Sequence, residues 1–288
     1  RLARLCPLYY MVLWWNFMMA IESEMYPLLN TAPVASVFVQ TLLPFRMCKD
    51  NLVLPFGLFG AGWFVSALVW LTFLFPALNR ILPKHGMRTV LCALGAIVVL
   101  RSVPTLYRRQ LPGDAHSFCV LYAFAPFRLP EFAAGMLTAR LYDILPDGIR
   151  SAAAWGWVFD ACLCLIMMSV YRFQLYTQDG FAFGDFLFTG PFCLAILSAC
   201  CSASTSGHPQ SGLLGRLLAT SPLVWLADCA FAAYLVQDAL LHTVPLSKHL
   251  RNAPDAVVHA ALSFGIGALV HPVEAACARW VDRRIRAA

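Results

Sequence analysis

Eight stretches of about twenty mostly apolar residues, separated by short polar loops, restrict this chain to one kind of fold. They lie near 6–22, 59–79, 89–106, 117–140, 151–171, 186–203, 217–241 and 256–278. A helix of about twenty residues crosses the hydrocarbon core of a bilayer. Barrel strands are half as long and alternate apolar with polar side chains, which these runs do not. The expected fold class is therefore all-α, a polytopic membrane helical bundle of about eight transmembrane helices. Composition agrees. Charged residues make up 12% of the 288 and hydrophobic residues 60%, against about a quarter charged in soluble domains. So few charges do not cover the surface of a water-soluble globule, and so apolar a chain does not stay disordered.

The loops set orientation. A ninth apolar stretch, 33–45, is short and carries Pro33, Gln40 and Pro44, so it reads as a re-entrant or interfacial segment of a long external loop. One side of the membrane then holds Arg1, Arg4, Arg80, Lys84, Arg88, Arg140, Arg150, Arg216, Arg279, Arg283, Arg284 and Arg286. The other holds the fewer residues Arg46, Lys49, Arg108, Arg109, Arg172, Lys248 and Arg251, while Arg101 and Arg128 fall inside spans. The bias places both termini in the cytoplasm. It also accounts for the net charge of +6 through membrane topology, with membrane lipids as neighbours and no nucleic-acid partner implied. Trp14, Trp15 and Tyr26 are either part of an external binding site or an aromatic belt, and the belt is the favoured reading.

A single domain over 1–288 is expected. The polar loop SASTSGHPQSG (202–212) is of ordinary length, and no internal repeat of the transporter kind is visible. The chain begins at Arg1 without a signal peptide, so the natural N-terminus is expected to lie upstream. Most of the eleven cysteines lie inside apolar runs, where they act as small hydrophobes. No CxxC pair occurs and the histidines are scattered, so no metal site is expected. There is no P-loop, no GxGxxG and no GxSxG elbow.

Charges inside a bilayer are costly and mark functional candidates. In PFRLPEFAAGM (126–136), Arg128 and Glu131 stand three apart and share a helix face. They are either a catalytic pair or an ion pair tying helices together. Arg1 and Arg4 share a face at a cytoplasmic helix start. Two guanidiniums there suit phosphate, and they equally suit a positive-inside anchor. Trp63 and Ser66 sit at helical spacing, where packing is the commoner role. Asp160 and Asp228 either face an aqueous cavity or cap a neighbouring helix. Asp238 with His242, and His271 with Glu274, have spacings that allow acid–imidazole pairs.

Five segments, in order, resemble the third family of integral-membrane acyltransferases. RLARLCPLYY (1–10) resembles the family's RxxR stretch followed by a proline and an aromatic. GWFVSALVWLTFLFP (62–76) resembles its Trp-x-x-Ser helix. FRLPEFAAGM (127–136) resembles its R-x-x-E-F-x-x-G-M segment. SPLVWLADCAFAAYLVQ (221–237) and ALVHPVEAACARWVDRR (268–284) resemble its last two helices, the second with Glu274 before a basic tail. The resemblance implies about ten helices, two of them before the RxxR stretch and carrying the catalytic histidine. This chain is expected to lack those two. It implies transfer of an acyl group, commonly acetyl from acetyl-coenzyme A, to a hydroxyl of a carbohydrate or lipid-linked acceptor. The coenzyme's pyrophosphate would sit near Arg1 and Arg4, with Arg128 and Glu131 lining the central cavity. Trp63, Ser66, Tyr234, Gln237 and Glu274 are further site candidates. Ala230, Phe231 and Gln237 depart from the family's Ser, Tyr and His. These departures leave a degenerate, non-catalytic member open beside the enzyme. A transporter or channel explains the helices and the buried charges equally well, but not the five ordered segments.

Overall fold

The computed structural model describes residues 8–15, 18, 62–82, 86–108, 125–172, 178–203, 212–243 and 253–287, apart from some side chains within these helices. The described residues are helical, with short turns and no strand. In chain order the helices are α1 (8–15), α2 (Gly62–Ile81), α3 (Met87–Arg108), α4 (Ala125–Ile144), α5 (Asp147–Arg150), α6 (Ala154–Arg172), α7 (Gln178–Ala203), α8 (Leu213–Leu218), α9 (Ser221–Thr243) and α10 (Ala253–Ala287). Seven of the eight expected spans meet one of the longer helices, and of the span 6–22 the described residues hold α1 and Met18. The stretch 33–45 lies outside the described residues.

No helix among the described residues is long and apolar enough to cross a membrane. In α4 the reason is charge, since Arg128, Glu131, Arg140 and Asp143 lie along its length. The number of spans thus rests on the apolar runs of the sequence.

The chain divides into two compact units, one made of Arg1–Trp70 with Ser221–Ala288 and the other of Leu71–Thr220. In the first, the core takes Leu8, Tyr9, Val12 and Leu13 from α1, Val65 and Val69 from α2, and Ala232, Leu235, Val236 and Leu240 from α9. Ile266 and Val270 of α10 pack against it. These positions recur at three and four residues, the spacing of one helix face. α9 lies along α10, and Gly267 makes the close approach possible. A Cβ added there would stand 2.8 Å from the backbone nitrogen and 3.0 Å from the Cα of Ala233.

In the second unit, α3 packs on α4, and α7 packs on α3, α4 and α6. Its core joins Val90 of α3, Leu137 and Leu141 of α4, Leu145 just beyond α4, and Leu197 and Cys201 of α7. Polar ties add to it. Arg140 of α4 donates from Nη2 to Asn79 Oδ1 of α2. Asp160 of α6 is buried and accepts from the backbone N–H of Leu214 and Gly215, both at 3.2 Å. Asp160 therefore caps the start of α8, one of the two roles its sequence position allowed. Gly212, just before α8, is required by this arrangement, because a Cβ there would run into the Asp160 carboxylate and the Gly156 carbonyl oxygen. Asp228 is exposed on α9.

The expected span 217–241 corresponds to α9 and otherwise takes in only the end of α8 and the turn between them. α8 ends at Leu218, a turn follows, and α9 begins at Ser221. Ser221–Pro222 explains the break. A proline in the first helical turn gives up no intrahelical bond, and it cannot continue the preceding helix.

Candidate active site

The α4 helix places Arg128, Glu131 and Gly135 at intervals of three and four residues, so they share one face. Pro130 lies between the two charges and has no N–H to offer the carbonyl one turn back. The face meets α7, whose Phe188, Thr189, Phe192, Cys193 and Ile196 recur with the same period. Together these eight residues line a cavity of about 300 Å³.

The charged end of this face is a three-residue cluster. Glu131 Oε1 accepts from Arg128 Nη1 at 2.8 Å, and from Arg101 Nε of α3 at 2.6 Å. Arg101 is 2% exposed and Arg128 8%, whereas the Glu131 side chain is 30% exposed. Both bonds use the same carboxylate oxygen. Oε2 takes part in neither, and Glu131 is part of the cavity wall. The cluster thus has two buried donors behind one partly open acceptor. Guanidinium–carboxylate bonds of this length are charge-assisted and fix the orientation of both groups.

Sequence reasoning paired Arg128 with Glu131 and noted Arg101 only as a charge within a span. The signal was present but incomplete. Arg101 lies mid-helix in an apolar segment with no acid three or four residues away on α3, so its partner had to come from another helix. Nothing in the spacing says which.

Two other candidates belong to the first unit. Tyr234 packs against its apolar core and meets Phe64 edge to face, with ring centroids 5.8 Å apart. Gln237 is half-buried on α9. Arg1 and Arg4 lie outside the described residues, as do the side chains of Trp63, Ser66, Asp238, His242 and Glu274. Among the described residues, no three of His, Cys, Asp and Glu come together as a metal site would require.

Comparison with known families decides what kind of protein this is. A family model described as an acyltransferase domain, that of acyltransferase 3, matches residues 1–270. The chain belongs to that family. The match covers most of the chain, including the α4–α7 cavity and the first four of the five ordered segments, and bears out the family resemblance. Acyltransferase 3 proteins are generally membrane proteins. No curated protein and no solved structure matches the chain.

Proposed function

We propose that this acyltransferase moves an acyl group from acyl-coenzyme A to a hydroxyl of a carbohydrate or lipid-linked acceptor, and that the reaction is centred on Arg128 and Glu131. The observation that carries this reading is their position on the wall of the α4–α7 cavity, with Arg101 behind them. The acceptor oxygen attacks the thioester carbonyl carbon, a C–O bond forms, and the C–S bond breaks. The hydroxyl proton passes to a general base, the role the resemblance gives to a histidine, and returns to the departing coenzyme A sulfur, so no proton is gained or lost. Glu131 holds the Arg128 guanidinium in place through their 2.8 Å bond. The Arg128 guanidinium donates to the carbonyl oxygen as negative charge develops there. A fixed donor so placed contributes about 10²–10³ in rate. Arg1 and Arg4 suit the pyrophosphate of the coenzyme, since an arginine fork grips phosphate oxygens in pairs.

The membrane setting belongs to the same reading. Sixty per cent hydrophobic composition supports it. So do the exposed Phe73, Trp157, Met167, Met168 and Leu269, each more than 60% accessible, since apolar surface of this kind asks for a non-aqueous neighbour. Loop charges favour a multi-pass protein with both ends of this chain cytoplasmic. A non-catalytic family member is the competing reading, and Gln237 favours it, because an amide cannot act as a general base.

The test uses the full chain in detergent or lipid nanodiscs with labelled acyl-coenzyme A. Arg128→Lys keeps the charge and loses the planar fork. We expect it to lower kcat about a hundredfold while the protein stays folded. Wild-type turnover in the folded variant would overturn the role of Arg128. Loss of labelled acetyl-coenzyme A binding in the Arg1→Ala/Arg4→Ala variant would support the donor site. Unchanged binding would refute it.

A further inference from the structure

We infer that the α4–α7 cavity is the seat of the donor's acyl chain, and that this chain is of medium length, about six to ten carbons, with Gly135 setting how far it reaches. The inference rests on the acyl-transfer reading and names its substrate class.

The cavity has a direction. Leu137 and Leu141 of α4 share a core with Leu197 and Cys201 of α7, and Cys193 lies beside Thr138. Residue numbers thus rise together along the two helices. Arg128, Glu131 and Thr189 stand at one end, and Gly135, Cys193 and Ile196 lie further along. One end therefore suits a thioester carbonyl and an attacking hydroxyl. The other offers only hydrocarbon, sulfur and aromatic surface. Phe188, beside the charged end, and Phe192, further along, form an edge-to-face pair with centroids 6.1 Å apart. A groove for a bare lipid tail has no use for a guanidinium and a carboxylate at its mouth, which favours an acyl group carrying a reactive polar end.

An acetyl group would leave most of this space empty. An apolar cavity of about 150 Å³ holds benzene, with six carbons. The present cavity has about twice that volume, 300 Å³. Gly135 is where length is read. It is exposed on the α4 face that lines the cavity, and a Cβ added there meets nothing within 4 Å, so a larger side chain narrows the space from its open side without disturbing its neighbours.

The experiment separates this inference from the parent reading. Wild type, Gly135→Ala and Gly135→Leu are exposed to octanoyl-coenzyme A bearing a terminal diazirine, irradiated, and mapped by mass spectrometry. Thermal unfolding of each variant in the same detergent checks the fold. Labelling is expected on the Phe188–Ile196 segment, competed by octanoyl-coenzyme A at least tenfold better than by acetyl-coenzyme A or by phosphatidylcholine. Gly135→Ala should reduce it slightly and Gly135→Leu at least tenfold, as the loss of two buried methylenes would. Label elsewhere, competition by phosphatidylcholine equal to that of the thioester, or labelling indifferent to Gly135→Leu overturns the inference. Turnover is read separately across acetyl, butyryl, hexanoyl, octanoyl and decanoyl donors. Absence of turnover with every donor refutes the enzymatic reading and leaves the labelling result to decide the cavity. Turnover confined to acetyl refutes the chain length alone.

Discussion

Helices α3 and α4 meet over a carboxylate shared by two guanidiniums, whereas α9 and α10 meet over a glycine. Both contacts bring long helices together, but they fail differently. A small-residue contact works by van der Waals approach, and it tolerates loss of atoms better than their gain. A buried ion cluster tolerates neither partner being removed alone, because the survivor keeps its desolvation cost and loses its compensation. Evolution has reason to keep such a cluster where chemistry uses it, and the cluster is the part that opens onto a cavity.

The sharpest way to break this contrast is Glu131→Leu. It leaves Arg101 and Arg128 buried side by side without their acid, and about 3–5 kcal/mol of stability should go with it. Denaturant or thermal unfolding in detergent reads the loss. The triple variant Arg101→Met, Arg128→Met, Glu131→Leu should recover most of that stability, since a well-packed apolar replacement of a buried ion cluster is near neutral. It should recover no transfer activity. A triple variant as unstable as the single one would show that the cluster is held by something other than its own charges.

Asp160→Ala comes next. It strips the acceptor from two backbone N–H groups at the start of α8. Bonds to a charged acceptor are worth more than neutral ones, so a loss of about 2–3 kcal/mol is expected. Gly212→Ala should match it by a different route, since the added methyl displaces the same carboxylate. Acyl transfer should fall only in proportion to the folded fraction. A kcat loss in a fully folded Asp160→Ala protein would move Asp160 from capping to catalysis.

Glycines then sharpen the comparison within one residue type. Gly267→Ala places a methyl 2.8 Å from the Ala233 nitrogen. Overpacking of that kind costs about 1–3 kcal/mol, more than the gain in helix propensity of up to about 1 kcal/mol. Gly135→Ala meets open space, so only the propensity term remains and stability should rise slightly. Paired unfolding midpoints of the two variants should move in opposite directions.

How much of this was legible beforehand follows from what each feature depends on. The long helices were readable because burial of a twenty-residue segment needs an apolar run, and that is local information. The four-residue α5 and the six-residue α8 were not, because a helix of one or two turns has no period to detect. Ser221–Pro222 was a readable stop between α8 and α9, masked by apolar residues on both sides. Arg128 and Glu131 were found because a spacing of three puts them on one face. Arg101 was not joined to them, because its partner lies thirty residues away on another helix. The Asp160 cap was one of two open roles, and only the placement of α8 selected it. Family membership was legible in ordered motifs rather than in any single site, and the match over residues 1–270 has that same extended character.

The smallest expected effect is also the most useful for dividing motif from mechanism. Tyr234 falls in a segment that resembles the family, yet its ring is spent on packing: it lies against the α1–α2–α9 core and edge-on to Phe64 at 77° between planes. Tyr234→Phe keeps that ring and its edge-to-face contact, which together carry most of an aromatic's contribution. Stability should change by less than about 1 kcal/mol, and kcat and KM should stay within about twofold of wild type, a spread far below one tenfold step per 1.36 kcal/mol. Tyr234→Ala should cost about 3–5 kcal/mol through the cavity it leaves. If Tyr234→Phe instead lowers kcat tenfold in a protein that unfolds at the wild-type temperature, the hydroxyl acts in the reaction. The first unit would then contribute chemistry and not only a core.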